Sequence, residues 1–125
     1  MPAPEKSGLQ ILIVDDEPSV ARSIKMLLEH SGHTVQAAAS GEAGLALFDQ
    51  ARFDVVITDF FMAGMDGDQL AAHIKRRRPA QPVIMATASL YGRNTADHPS
   101  EHVDYLLNKP FTLAELRAAI AWVLR

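Results

Sequence analysis

The chain of 125 residues contains no cysteine, which excludes disulfides, thiol nucleophiles and thiolate metal sites. Carboxylates and five histidines are left as strong ligands, and the histidines are scattered without a metal-ligand spacing. Any bound metal is therefore expected to be a hard cation held by oxygen. No run approaches the about 18 consecutive apolar residues of a membrane span, and residues 1–8 lack the apolar core of a signal peptide. These absences predict a short flexible lead over residues 1–8 and a single cytoplasmic domain over 9–125. Charge of one sign is also scarce. The net charge of −3 argues against direct nucleic-acid binding, and the dense basic run Lys75, Arg76, Arg77 and Arg78 lies at a predicted helix end, where it complements the helix dipole rather than forming a binding patch. Internal repeats and linkers are missing too, and 48% hydrophobic with 22% charged residues suits one core.

What is present is an alternation. Residues 9–14, 33–38, 53–59, 82–87 and 102–107 are apolar runs favouring buried strands. Between them lie segments of helical period. Pro18 suits a first helical position, and Val20, Ile24, Leu27, Leu28 and Ser31 mark one face of a helix that Gly32 can end. Ser40 is placed to cap a second helix. Asp66 with Gln69, and Thr112 with Glu115, have capping-box spacing for two more, the first ending before Pro79 and the second presenting Leu113, Leu116, Ile120, Val123 and Leu124. The stretch 90–101 occupies the slot of a further helix but carries Gly92, Asn94 and Pro99, and is expected to be short, distorted or mobile. Five strands alternating with helices imply an α/β fold, a parallel sheet covered on both faces.

In such open sheets, ligands bind beyond the carboxyl ends of the strands. Asp15 and Asp16 follow the first strand, Asp59 ends the third, Thr87 ends the fourth and Lys109 follows the fifth. Taken singly, Asp15 or Asp16 could cap a helix, Thr87 could be a β-former and Lys109 a solvated loop residue. Their joint placement on one rim points to a common site. Three clustered carboxylates repel each other unless a cation sits among them, and Mg²⁺ suits a shallow oxygen-rich site. Carboxylates, dication, ammonium and hydroxyl together describe a phosphoryl site in which Asp59 attacks phosphorus. Asp54, Asp68, Asp97 and Asp104 lack such placement and are expected on the surface.

The sequence resembles the receiver domain of two-component response regulators over about residues 9–124. The resemblance is carried by residues 11–18 with Asp15, Asp16 and Glu17, by Asp59 with Met62, Met65, Asp66 and Gly67, by Thr87 with Ala88, and by Lys109, Pro110 and Phe111. It implies a flavodoxin-like, doubly wound five-stranded sheet of order 2-1-3-4-5, and a phosphorylation-controlled switch rather than an enzyme acting on a separate substrate. Asp59 would accept a phosphoryl group from a sensor histidine kinase or phosphotransfer protein and later lose it to water. Asp15, Asp16, Asp59 and the backbone carbonyl of Phe61 would bind Mg²⁺, with Asp15 acting largely through water. Thr87 and Lys109 would contact the phosphoryl group, and the peptide preceding Pro110 would be cis. An unnamed downstream protein is the implied partner, with neither nucleic acid nor membrane contacted directly.

Departures from the family pattern shape further expectations. Leu106 stands where an aromatic switch residue is common, and Tyr105, one position earlier, should point to the opposite face. Phosphorylation is then expected to be transmitted through Thr87 and the stretch 90–101. Phe61, two residues beyond Asp59, is expected to shield an acyl phosphate from water, with packing or partner contact as its other reading. Two alternatives remain at this level: a degenerate receiver acting as a constitutive interaction module, and a small phosphatase using Asp59 covalently.

Overall fold

A computed structural model describes residues 8–88 and 100–125. The strands are β1 (Gln10–Val14), β2 (Thr34–Ala38), β3 (Val55–Asp59), β4 (Val83–Ala88) and β5 (Tyr105–Lys109). The helices are α1 (Pro18–His30), α2 (Gly41–Gln50), α3 (Gly67–Arg77) and α4 (Leu113–Val123). All described strand pairs are parallel, in the order β2-β1-β3-β4-β5. The chain runs outward from β1 in one direction and returns to build the other half from β3, so the switch point lies between β1 and β3.

Alternation along the strands sorts the apolar residues into two cores. Ile11, Ile13, Val55, Ile57, Ile84 and Leu107 face α1 and α4, packing on Ile24, Leu28, Leu116 and Ile120. Leu12, Val14, Val56, Met85 and Leu106 face α2 and α3, packing on Phe48, Leu70 and Ile74. The central strand β3 is buried at all five positions, which accounts for its continuous Val-Val-Ile run.

Local chemistry sets the helix ends. Ser40 accepts a hydrogen bond from the Ala43 N–H, and both expected capping boxes form, at Asp66 with Gln69 and at Thr112 with Glu115. The first helix begins at Pro18, as expected, but Glu17 rather than Asp15 or Asp16 is its N-cap residue, without a side-chain capping bond.

Two expectations need correction. Leu27 is 42% exposed, and the buried stripe of α1 is Ala21, Ile24 and Leu28. Strand β5 starts at Tyr105 and runs through Asn108 and Lys109, three residues beyond the expected start and into the expected turn. Just before the strand, Asp104 Oδ2 accepts from the Val83 N–H at 2.8 Å and from Lys75 Nζ at 2.7 Å, and the Asp104 N–H donates to the Val83 carbonyl at 2.9 Å, so the chain is already held beside β4 there. Asp104 keeps a partly exposed side chain, as expected of a surface residue, and is in addition bonded. Asp54 is exposed, as expected, and accepts from the Gln10 N–H at 2.7 Å; Asp68, partly exposed, accepts from the Ser100 hydroxyl. Asp97 and nearly all of the stretch 90–101 lie outside the described residues. Among the described residues, no helix is long and apolar enough to cross a membrane.

Candidate functional site

The carboxyl ends of β1 and β3 lie side by side because the two strands are paired through Val14 and Thr58. Asp15, immediately after β1, is 2% exposed. Its Oδ1 accepts from the Glu17 N–H at 2.9 Å, and its Oδ2 accepts from Lys109 Nζ at 2.8 Å. Asp16 is exposed beside it. One oxygen from each of Asp15, Asp16 and Asp59 falls within 4.8 Å of the others.

Asp59 is buried at the end of β3, and its Oδ1 accepts from the Phe60 N–H at 3.0 Å. Lys109 Nζ lies 3.4 Å from the same oxygen. Burial pushes the Asp59 carboxyl above its ordinary range; the Lys109 charge opposes this and the Asp15 charge adds to it. Burial alone would lower Lys109, but its hydrogen bond to Asp15 and the charges of Asp59 and Asp15 outweigh that and hold the ammonium above its ordinary value. Lys109 is thus firmly cationic and shared unequally between two carboxylates.

Thr87, buried near the end of β4, pairs in register with Asn108, one residue before Lys109. The Lys109–Pro110 peptide is cis. Leu106 is buried against the α2/α3 core, while Tyr105 packs on the other face with its ring 5.9 Å from that of Trp122. The aromatic at position 105 is therefore turned away, as the alternation predicts. Phe61 is 56% exposed and its ring meets Phe60 edge-on at 4.7 Å.

Sequence reasoning read Gly67 only as part of a motif and missed its task. A Cβ there would sit 2.1 Å from the carbonyl oxygen of Asp59 and 2.9 Å from the Phe60 Cα. The start of α3 is pressed against the backbone at the end of β3, and the Gly67 N–H donates to the Phe60 carbonyl at 2.9 Å. The signal available in the sequence was a glycine directly after a capping aspartate; the structure adds that its φ is not positive, so close approach and not turn freedom is what it provides. The ion pair between Asp15 and Lys109 was also unforeseen, because nothing in sequence spacing ranks one carboxylate over another as the partner of a lysine 94 residues away.

The family model for the response regulator receiver domain matches residues 11–121. The chain belongs to this family. Among curated relatives, the transcriptional regulatory protein TcrA of Mycobacterium tuberculosis is 35% identical over 91% of this chain and 45% of its own length. The sensor histidine kinase AruS of Pseudomonas aeruginosa is 33% identical over 98% of this chain and 13% of its own. The chain thus spans less than half the length of either relative. Among solved structures, the response regulator TrrA of Thermotoga maritima, in complex with Mg²⁺ and BeF, superposes with a TM-score of 0.83 at 31% identity, covering 93% of this chain and 99% of that one. The chain is a receiver domain, and the cluster of Asp15, Asp16 and Asp59 lies within the span that the family model matches.

Proposed function

We propose that Asp59 is the phosphoacceptor of a signalling switch, that residues 9–125 are the receiver unit, and that it works in the cytoplasm. The observation that carries this reading is the convergence of Asp15, Asp16 and Asp59 within 4.8 Å with Lys109 Nζ at 3.4 Å from Asp59. An Asp59 carboxylate oxygen attacks phosphorus of a phosphohistidine on a sensor kinase or phosphotransfer protein. The P–N bond breaks, its electron pair goes to the imidazole nitrogen, which takes up a proton, and an acyl phosphate forms. Lys109 opposes the effect of burial on Asp59 in part and is within reach of oxygens attached there; Thr87, from the neighbouring strand, supplies a hydroxyl donor.

The donor set fits a hard dication: three clustered carboxylates face a single ammonium among the described residues, leaving an excess of negative charge. Asp15, Asp16, Asp59 and the Phe61 carbonyl would hold Mg²⁺, which when bound neutralises the phosphoryl oxygens. The acyl phosphate is lost when water attacks phosphorus and the bond to Asp59 breaks, releasing phosphate. Output passes through a protein partner that binds the two states differently, without direct contact to nucleic acid or membrane. Incubation with acetyl phosphate and Mg²⁺, followed by intact mass, tests the proposal. Wild type gains one phosphoryl group and Asp59→Asn gains none; equal labelling of both overturns it.

A further inference from the structure

The opposite pole of the sheet, at the amino-terminal ends of the strands, holds a cleft of about 680 Å³ between the entry to β3 and the loop from α3 to β4. Its lining carries Arg52, Arg77 and Arg78 against one carboxylate, Asp54, and Asp54 already accepts the Gln10 N–H. This cluster stands on a chain whose net charge is −3. The basic run that ends α3 does more there than complement a dipole: the helix ends at Arg77, and Arg78 is extended, with φ −142° and ψ 94°.

Two of the three guanidinium groups are held in place. Arg77 Nε donates to Asp49 at 2.7 Å and its Nη1 to the His73 carbonyl at 3.1 Å. Arg78 lies 5.0 Å over the Phe48 ring, with Nη2 at 3.5 Å from the Ala51 carbonyl. Arg52 is exposed and makes no hydrogen bond or ion pair among the described residues. A guanidinium presents five donors in a planar fork, so all three retain donors for an oxyanion, and fixing two of them beforehand lowers the entropy lost on binding. Pro79, Pro82 and Leu124 also line the cleft. A bare phosphate would leave these apolar groups uncovered, whereas a chain with carboxylates spaced by apolar side chains would satisfy both.

We propose that this cleft binds an acidic, apolar-interspersed peptide segment of a partner protein, at a site separate from the phosphoacceptor. Fluorescence anisotropy of a labelled peptide of alternating Glu and Leu, titrated with the full chain, tests it. The peptide should bind, and Arg52→Gln and Arg78→Gln should each weaken binding about tenfold, equal to about 1.4 kcal/mol. Arg22→Gln, the same charge change on the exposed face of α1, should leave it unchanged. Thermal melts report whether the variants fold; Arg52→Gln decides the matter if loss of the Phe48 contact unfolds Arg78→Gln. The proposal is overturned if the peptide does not bind, if Arg22→Gln weakens binding as much as Arg52→Gln, or if Arg52→Gln binds like wild type. It is also overturned if pyrophosphate displaces the peptide at equal concentration, which marks a simple anion site, or if a duplex oligonucleotide binds more tightly than the peptide.

Discussion

Asp59 is held in a state its surroundings resist. Burial raises its pKa above the ordinary 3.8, with Lys109 only partly offsetting this, so the folded protein favours the protonated form more than the unfolded chain does. The sign follows from linkage: below the unfolded value both states are protonated and there is no penalty, and the penalty develops as pH rises through the folded value. Asp59→Asn should therefore melt at a higher temperature than wild type at neutral pH without added metal, and the gain should vanish as pH falls below about 3.8; a series of thermal melts across pH checks it. Phe61 offers a second test at this scale, since its exposed ring, braced edge-on by Phe60, is placed two residues beyond the acceptor. Phe61→Asn should shorten the lifetime of the acyl phosphate by up to about tenfold, about 1.4 kcal/mol of barrier, followed by intact mass after the phosphodonor is removed.

Elements meet at the site through contacts that sequence periodicity conveys only in part. The parallel sheet, the capping boxes and the rim location of Asp15, Asp16, Asp59, Thr87 and Lys109 were legible, because each depends on local pattern or on the rule that strand ends form the rim. Hidden were the exact width of the α1 stripe, which leaves Leu27 exposed, and features set by contacts across the fold, Asp104 bonding Val83 and Lys75 and Gly67 against the Asp59 carbonyl. The last makes a sharp test, because the obstacle to a side chain is backbone that cannot rotate away. Gly67→Ala should push the start of α3 off β3, costing about 1–3 kcal/mol in chemical denaturation and sharply reducing labelling by acetyl phosphate. A variant that is destabilised but labels at the wild-type rate would show that the contact supports the fold alone.

For the whole molecule, a dication that binds only the folded site stabilises by mass action. At one hundred times its Kd the gain is about 2.7 kcal/mol, or roughly 10 °C for a domain of this size. Mg²⁺ should raise the melting temperature of wild type, and Asp16→Ala should lose that rise; a rise that survives the substitution would place the ion elsewhere. The acceptor is attached to the least yielding part of the protein. β3 is the one described strand buried at every position and is hydrogen-bonded on both sides, by β1 and β4, so its amides should open to hydrogen exchange only when the whole domain unfolds. A group attached at such a fixed end cannot relax by shifting its own strand. Lys109, on the edge strand β5, already lies 3.4 Å from Asp59, so any displacement on phosphorylation is expected on the β4/β5 side, in the strand that carries Thr87 and in its neighbour. β3 would then serve as an anvil, its amides equally protected with and without the phosphoryl group while those of β4 and β5 change, which hydrogen exchange in both states checks.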